Sequence, residues 1–242
     1  MLKRAAALGF CASIVLNTLP VIAQPDWRIV PAMLVAWYLA DFASGLIHMY
    51  MDYRPCAESS RLDELFFYEG HRGSPDYKAL HREIMAKLSF FERLVFDFKI
   101  HHPRPLTLGR RDLLAQVWAT IAVLTLPVSL LLNLAWAILP VPSWFMAGAV
   151  TALIAGTLSQ YFHGTLHRQV NPLIIPVMRR LRLLITVEAH ALHHATLDRD
   201  FATINGWSNP VLNLVFNWLK ARGSFSPAGL EPARHKAPTT AG

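Results

Sequence analysis

Four stretches of this sequence, residues 5–23, 30–50, 113–139 and 144–166, are long and apolar; three hold no Asp, Glu, Lys or Arg and the second holds only Asp41. A helix of about 20 apolar residues crosses a bilayer, so the sequence predicts an all-α integral membrane protein with four transmembrane helices. The links within each pair, residues 24–29 and 140–143, are short, which predicts two helical hairpins. Trp27, Trp136 and Trp144 lie near these turns, where interfacial aromatics belong. Of the 23 Lys and Arg residues, 22 fall outside the hairpin turns and only Arg28 sits in one. The positive-inside rule makes the basic side cytoplasmic. The first span also has the outline of a signal peptide, Lys3 and Arg4 before an apolar run ending in Val21-Ile22-Ala23, but the run is longer than a usual signal core.

Composition agrees with a membrane protein. Hydrophobic residues make up 53% of the 242 and charged ones only 16%, against about 25% charged in soluble domains; disorder and a secreted disulfide module are excluded with it. The formal charge of +7 reports topology and anionic lipid, and no nucleic-acid motif accompanies it. Cys11 and Cys56 are too few for a disulfide framework or a cysteine-based zinc site. Three regions follow: residues 1–24 as a first transmembrane helix with signal-like character, 25–221 as the main membrane domain, and 222–242 as a flexible tail rich in Pro, Ala and Gly.

Between the second and third spans, Leu80, Ile84, Leu88, Phe91, Val95 and Phe98 recur at steps of three or four. That period predicts a helix, lying on the membrane surface or packed on a cytoplasmic helical cap. Residues 172–186 are apolar with a basic cluster, Arg179, Arg180 and Arg182. They suit an interfacial segment near lipid phosphates, or ordinary positive-inside residues.

The eleven histidines carry the chemistry. His48 ends the second span, His101 and His102 precede the third, His163 and His167 end the fourth, and His190, His193 and His194 follow; His71, His81 and His235 are left over. His163 and His167 are i and i+4, on one helical face, and His190, His193 and His194 are i, i+3 and i+4. Clustered imidazolium ions would repel one another, whereas neutral rings are metal ligands. One zinc takes about four ligands, so eight grouped histidines imply two metals. Imidazole alone does not choose between iron, zinc and copper. The Glu and Glu-x-x-His pattern of soluble di-iron bundles is absent; a histidine-rich site at the ends of membrane helices suits a membrane di-iron, oxygen-activating enzyme. Bis-histidine haem would want facing histidines within the spans. Asp41, an intramembrane carboxylate, is a candidate partner of His48. Glu188 and Asp198 are candidates for the 190–194 group, and Gln160 and Asn205 can supply a weak or water-mediated ligand.

The ordered motifs resemble a known family. Residues 40–48 (ADFASGLIH), 101–105 (HHPRP), Gln160 with His163-x-x-x-His167, His190-x-x-His193-His194, and the following Thr203-Ile204-Asn205-Gly206-Trp207 with Asn209-Pro210 are similar to those of the CarF/Kua-type plasmanylethanolamine desaturases, a group that takes in plant plastid acyl-lipid desaturases. The resemblance covers residues 37–218. It implies a lipid desaturase whose di-iron centre is held by His48, His101, His102, His163, His167, His190, His193 and His194. It also implies O2 as co-substrate, removal of two hydrogens from adjacent carbons of a membrane lipid chain, and an external electron donor, cytochrome b5-like or ferredoxin-like. The substrate would be a plasmanyl ether lipid becoming a plasmalogen, or a phospholipid-bound acyl chain. The bacterial inner membrane is the expected location, or the endoplasmic reticulum in a eukaryote. Two features depart from the pattern. Asp198 stands where the family has a further histidine, and the connection 52–100 is longer than usual. A di-iron lipid hydroxylase is the nearest alternative. A histidine-rich metal transporter or sensor is the alternative of another class, but it expects polar residues through the spans.

Overall fold

The computed structural model describes residues 1–234, so His235 and the end of the tail lie outside the described residues. It is all-helical, with no strand among the described residues. The helices are α1 (Leu2–Ala23), α2 (Ile29–Tyr53), α3 (Leu62–Phe66), α4 (Pro75–Lys87), α5 (Phe90–His101), α6 (Leu106–Gly109), α7 (Leu113–Thr120), α8 (Leu126–Ile138), α9 (Ser143–Leu166), α10 (Ile174–Arg180), α11 (Val187–Thr196) and α12 (Asn209–Ala221). Four stretches are long and apolar enough to cross a membrane: α1, α2, α9, and α7 with α8 joined through a π-helical turn, Ile121–Thr125. The chain divides into two compact units, residues 1–46 with 108–214, and residues 47–107 with 215 onward.

The first unit holds α1, the larger part of α2, and α7 to α11. Helix α1 finds its main partners in α8 and α9, with Phe10, Val117, Ile121 and Leu153 forming the buried apolar contact. The few polar residues of these spans pair with one another. Ser13 and Ser129 share a 2.7 Å hydroxyl bond, Asn17 donates to the Ser129 carbonyl and hydroxyl, and Asn133 donates to Ser13. In lipid a polar side chain has no water to turn to, so mutual bonding fixes which helix faces meet. The π turn has a local cause: Pro127 carries no N–H, and Thr125, pushed inward, accepts from Thr157 at 2.8 Å. Helices α2 and α9 approach closely at Ala32 and Gly148, where a side chain on Gly148 would meet the Ala32 carbonyl at 3.4 Å. Arg28 lies over the Trp144 ring, bringing the turn before α2 and the start of α9 together.

The second unit packs α3, α4 and α5 around Leu62, Leu65, Phe66, Ile84, Leu88, Phe96 and Ile100. The single helix expected across residues 80–98 is two. Ser89 ends one and caps the next: its hydroxyl accepts from the Glu92 N–H while Glu92 accepts from the Ser89 N–H, a full capping box. Ile84 and Leu88 pack in the core around Leu62, which α5 reaches through Phe96 and Ile100, whereas Val95 and Phe98 pack with Met51 in a second cluster. Of the expected face, Ile84, Leu88, Val95 and Phe98 are buried and Phe91 is 41% exposed, which is packing on a cap. Residues 223–230 return onto this unit. Phe225 stacks on Phe216, and Gly229 sits so close to Tyr53 that a Cβ would strike its carbonyl.

Candidate metal centre

In the first unit the end of α9 and the length of α11 supply the donors. His163, His167, His190 and His194 each offer a ring nitrogen within 4.8 Å of all the others. His190 Nε2 stands 3.1 Å from His163 Nε2 and 3.1 Å from His194 Nε2. A neutral imidazole nitrogen carries either one proton or one lone pair, so hydrogen bonding does not serve both contacts well, whereas a cation shared by all three does. Burial first, and His193 second, push the His167 imidazole down to about 4, which keeps it in the neutral form that binds metal. His193 is fully buried and uses Nδ1 to donate to the Arg199 carbonyl at 2.8 Å. That bond fixes its tautomer and leaves Nε2 as the lone-pair nitrogen.

The local sequence holds these rings in place. Thr186 caps α11, and Leu197 ends it in the left-handed region with its N–H on the His193 carbonyl. At the end of α9, Gly164 leaves room for the Gln116 amide, which a Cβ would strike at 2.1 Å. Arg168 then ties the following turn to the Gly109 and Arg111 carbonyls and to Gln116.

In the second unit the last turns of α2 and α5 supply the donors. His48, Asp52 and His102 offer ligand atoms all within 4.8 Å of one another. Asp52 Oδ2 lies 3.4 Å from His48 Nε2 and 3.5 Å from His102 Nε2. The His101 ring adjoins that of His102, with centroids 4.3 Å apart, and its Nδ1 donates to the Phe98 carbonyl. Lys99, 1% exposed, donates to the main-chain oxygens of Met51, Asp52 and Gly229. One ammonium thus joins the end of α2, α5 and the returning tail. Burial lowers its pKa.

Several expected partners have other roles. Asp41 does not serve His48. Its two oxygens accept from the N–H groups of Ile204, Asn205, Gly206 and Ser208 and from the Ser208 hydroxyl, at 2.6–3.2 Å. It holds the loop after α11, and Gly206 in that loop has φ +77°, a conformation glycine adopts without strain. Asp52 is the carboxylate beside His48. The expected span stopped at Tyr50, but α2 continues to Tyr53 and so sets Asp52 at i+4 from His48. Glu188 is exposed in the first turn of α11, where its own N–H and the Thr186 hydroxyl hold its carboxyl below the usual range. Asp198 is 42% exposed, with Arg199 at 3.9 Å. Neither belongs to a donor group. Asn205 accepts from the Trp207 N–H, and Gln160 is half-buried one turn before His163. Arg179 donates to the Ile185 carbonyl and the Thr165 hydroxyl, which is a tie between segments, while Arg180 and Arg182 are exposed. His71 and His81 stand outside both donor groups.

Imidazoles with a carboxylate among them form a donor set that a transition metal such as iron fits. A family profile described as a lipid desaturase domain matches residues 86–224. The plasmanylethanolamine desaturase of Myxococcus xanthus is 23% identical over 194 residues, 78% of this chain and 57% of that protein. The chain therefore spans little more than half the length of the curated relative it matches. No solved structure matches.

Proposed function

Since the chain belongs to the lipid desaturase family, we propose that it is a membrane-bound, O2-dependent di-iron enzyme that introduces a double bond into a lipid chain. The favoured substrate is a plasmanyl ether lipid converted to its vinyl ether, as the name of the Myxococcus relative suggests, or else a phospholipid-bound acyl chain. The observation that carries the reading is the pair of donor groups on family motifs: four imidazoles in one unit, and two imidazoles with a carboxylate in the other. His48, His101, His102, His163, His167, His190, His193 and His194 hold the two irons. Bound iron supplies reduction of O2 and the oxidising strength to take hydrogen from an unactivated carbon.

The chain's own residues do the rest. Burial excludes water from the rings, and the main-chain bonds at Nδ1 of His101 and His193 orient their Nε2 atoms. Asp41 and Arg168 hold the two segments that follow the histidine motifs. Apolar spans give a lipid chain access from the bilayer. Electrons come from a separate carrier, cytochrome b5-like or ferredoxin-like. The basic-residue distribution supports a metal centre on the cytoplasmic side, in the bacterial inner membrane or, in a eukaryote, the endoplasmic reticulum.

The test is elemental analysis after purification in mild detergent, followed by turnover on lipid with a reductant and O2. About two irons per chain and a product lighter by two hydrogens are expected. A product heavier by one oxygen would make it a hydroxylase. Zinc at one per chain, or active protein without metal, would overturn the reading.

A further inference from the structure

Asp52 belongs to no histidine motif, yet its carboxylate is fully buried with two imidazoles around one oxygen. The separations, 3.4 and 3.5 Å, exceed the 2.7–3.2 Å of an N–H···O bond. They match two donors on one ion: metal–ligand bonds of about 2.0–2.2 Å at angles of about 90–110° put neighbouring donor atoms about 2.8–3.6 Å apart. Its place on the helix is set for this, since residues i and i+4 share a face. The main-chain oxygen of Asp52 is held by Lys99, so the last turn of α2 is pinned before any metal arrives.

We propose that Asp52 is itself an iron ligand, so that the two iron positions differ chemically: one has imidazole donors alone, the other counts a carboxylate among its donors. The inference rests on the di-iron reading above. An anionic oxygen donor favours ferric over ferrous iron more than a neutral imidazole does, so the iron beside Asp52 is the more easily oxidised of the pair.

The experiment uses the full chain loaded with iron-57 in mild detergent. Mössbauer spectra of the reduced wild-type protein are expected to show two doublets of equal area and different isomer shift or splitting. A single doublet from two like irons would overturn the inference while leaving the di-iron reading intact. Iron per chain is expected to fall from about two to about one in Asp52→Asn, with the all-imidazole doublet retained, and to return in Asp52→Glu. Two irons with an unchanged spectrum in Asp52→Asn would also overturn it. Wild-type protein without iron would overturn both readings together. The wild-type spectrum decides the matter even if the Asp52→Asn chain fails to fold.

Discussion

Asp41 and Asp52 lie eleven residues apart on helix α2, about three turns, and both are fully buried, but they face unlike surroundings. Around Asp41 every close partner is a donor in the 204–208 loop, four main-chain N–H groups and one hydroxyl. Asp52 has the Nε2 atoms of His48 and His102 at 3.4 and 3.5 Å. A carboxylate ringed by N–H groups shapes the chain; one set beside imidazole nitrogens suits a shared cation. Burial alone therefore says little about a carboxylate's role, and the identity of its neighbours says most of it.

That contrast can be broken by experiment. The largest effect is expected from His190→Ala, which removes the ring at the centre of the all-imidazole group: product falls below detection and iron per chain drops by about half. If full activity survives, the donor role of that group is lost. Next comes Asp41→Ala, expected to cost about 3–5 kcal/mol because buried donors lose their shared acceptor. Thermal unfolding in detergent would show it, while iron per folded chain stays near wild type. Iron loss from well-folded Asp41→Ala protein would erase the distinction between the two carboxylates. Lys99→Met leaves three main-chain oxygens without their donor, for about 2–3 kcal/mol, and should loosen the tail, as proteolysis would report. Gly45→Ala is expected to cost about 1–3 kcal/mol, since the added carbon would meet Leu212 at 2.3 Å and the Ala202 backbone at 3.2 Å. The smallest effect belongs to Glu188→Gln, which should leave iron content and melting temperature at wild-type values; a loss of iron there would restore the carboxylate to the centre.

The spans and the histidine groups were legible in the sequence because each is periodic or local. Apolar length announces a span, and i, i+3, i+4 spacing announces a shared face. What stayed hidden depended on where helices stop and on contacts distant in sequence. Asp52 read as part of the connection because charge marks the usual end of an apolar run, whereas the helix continues another turn. Asp41 was assigned to the histidine nearest along its own helix, but its partners lie 163–167 residues away. The break at Ser89 was visible as Ser-x-x-Glu, and the unbroken apolar period masked it. Lys99 gave no signal, because a buried lysine reads in sequence like any surface one.

The Ser13–Ser129 contact has a consequence in time as well as in space. These residues are 116 positions apart, and at about 5–20 residues per second of synthesis the first waits roughly 6–23 s for the second. During that interval Ser13 and Asn17 are without the Ser129 partner that the finished fold gives them. The polar seam between α1 and α8 is therefore one that closes only after α8 has been made.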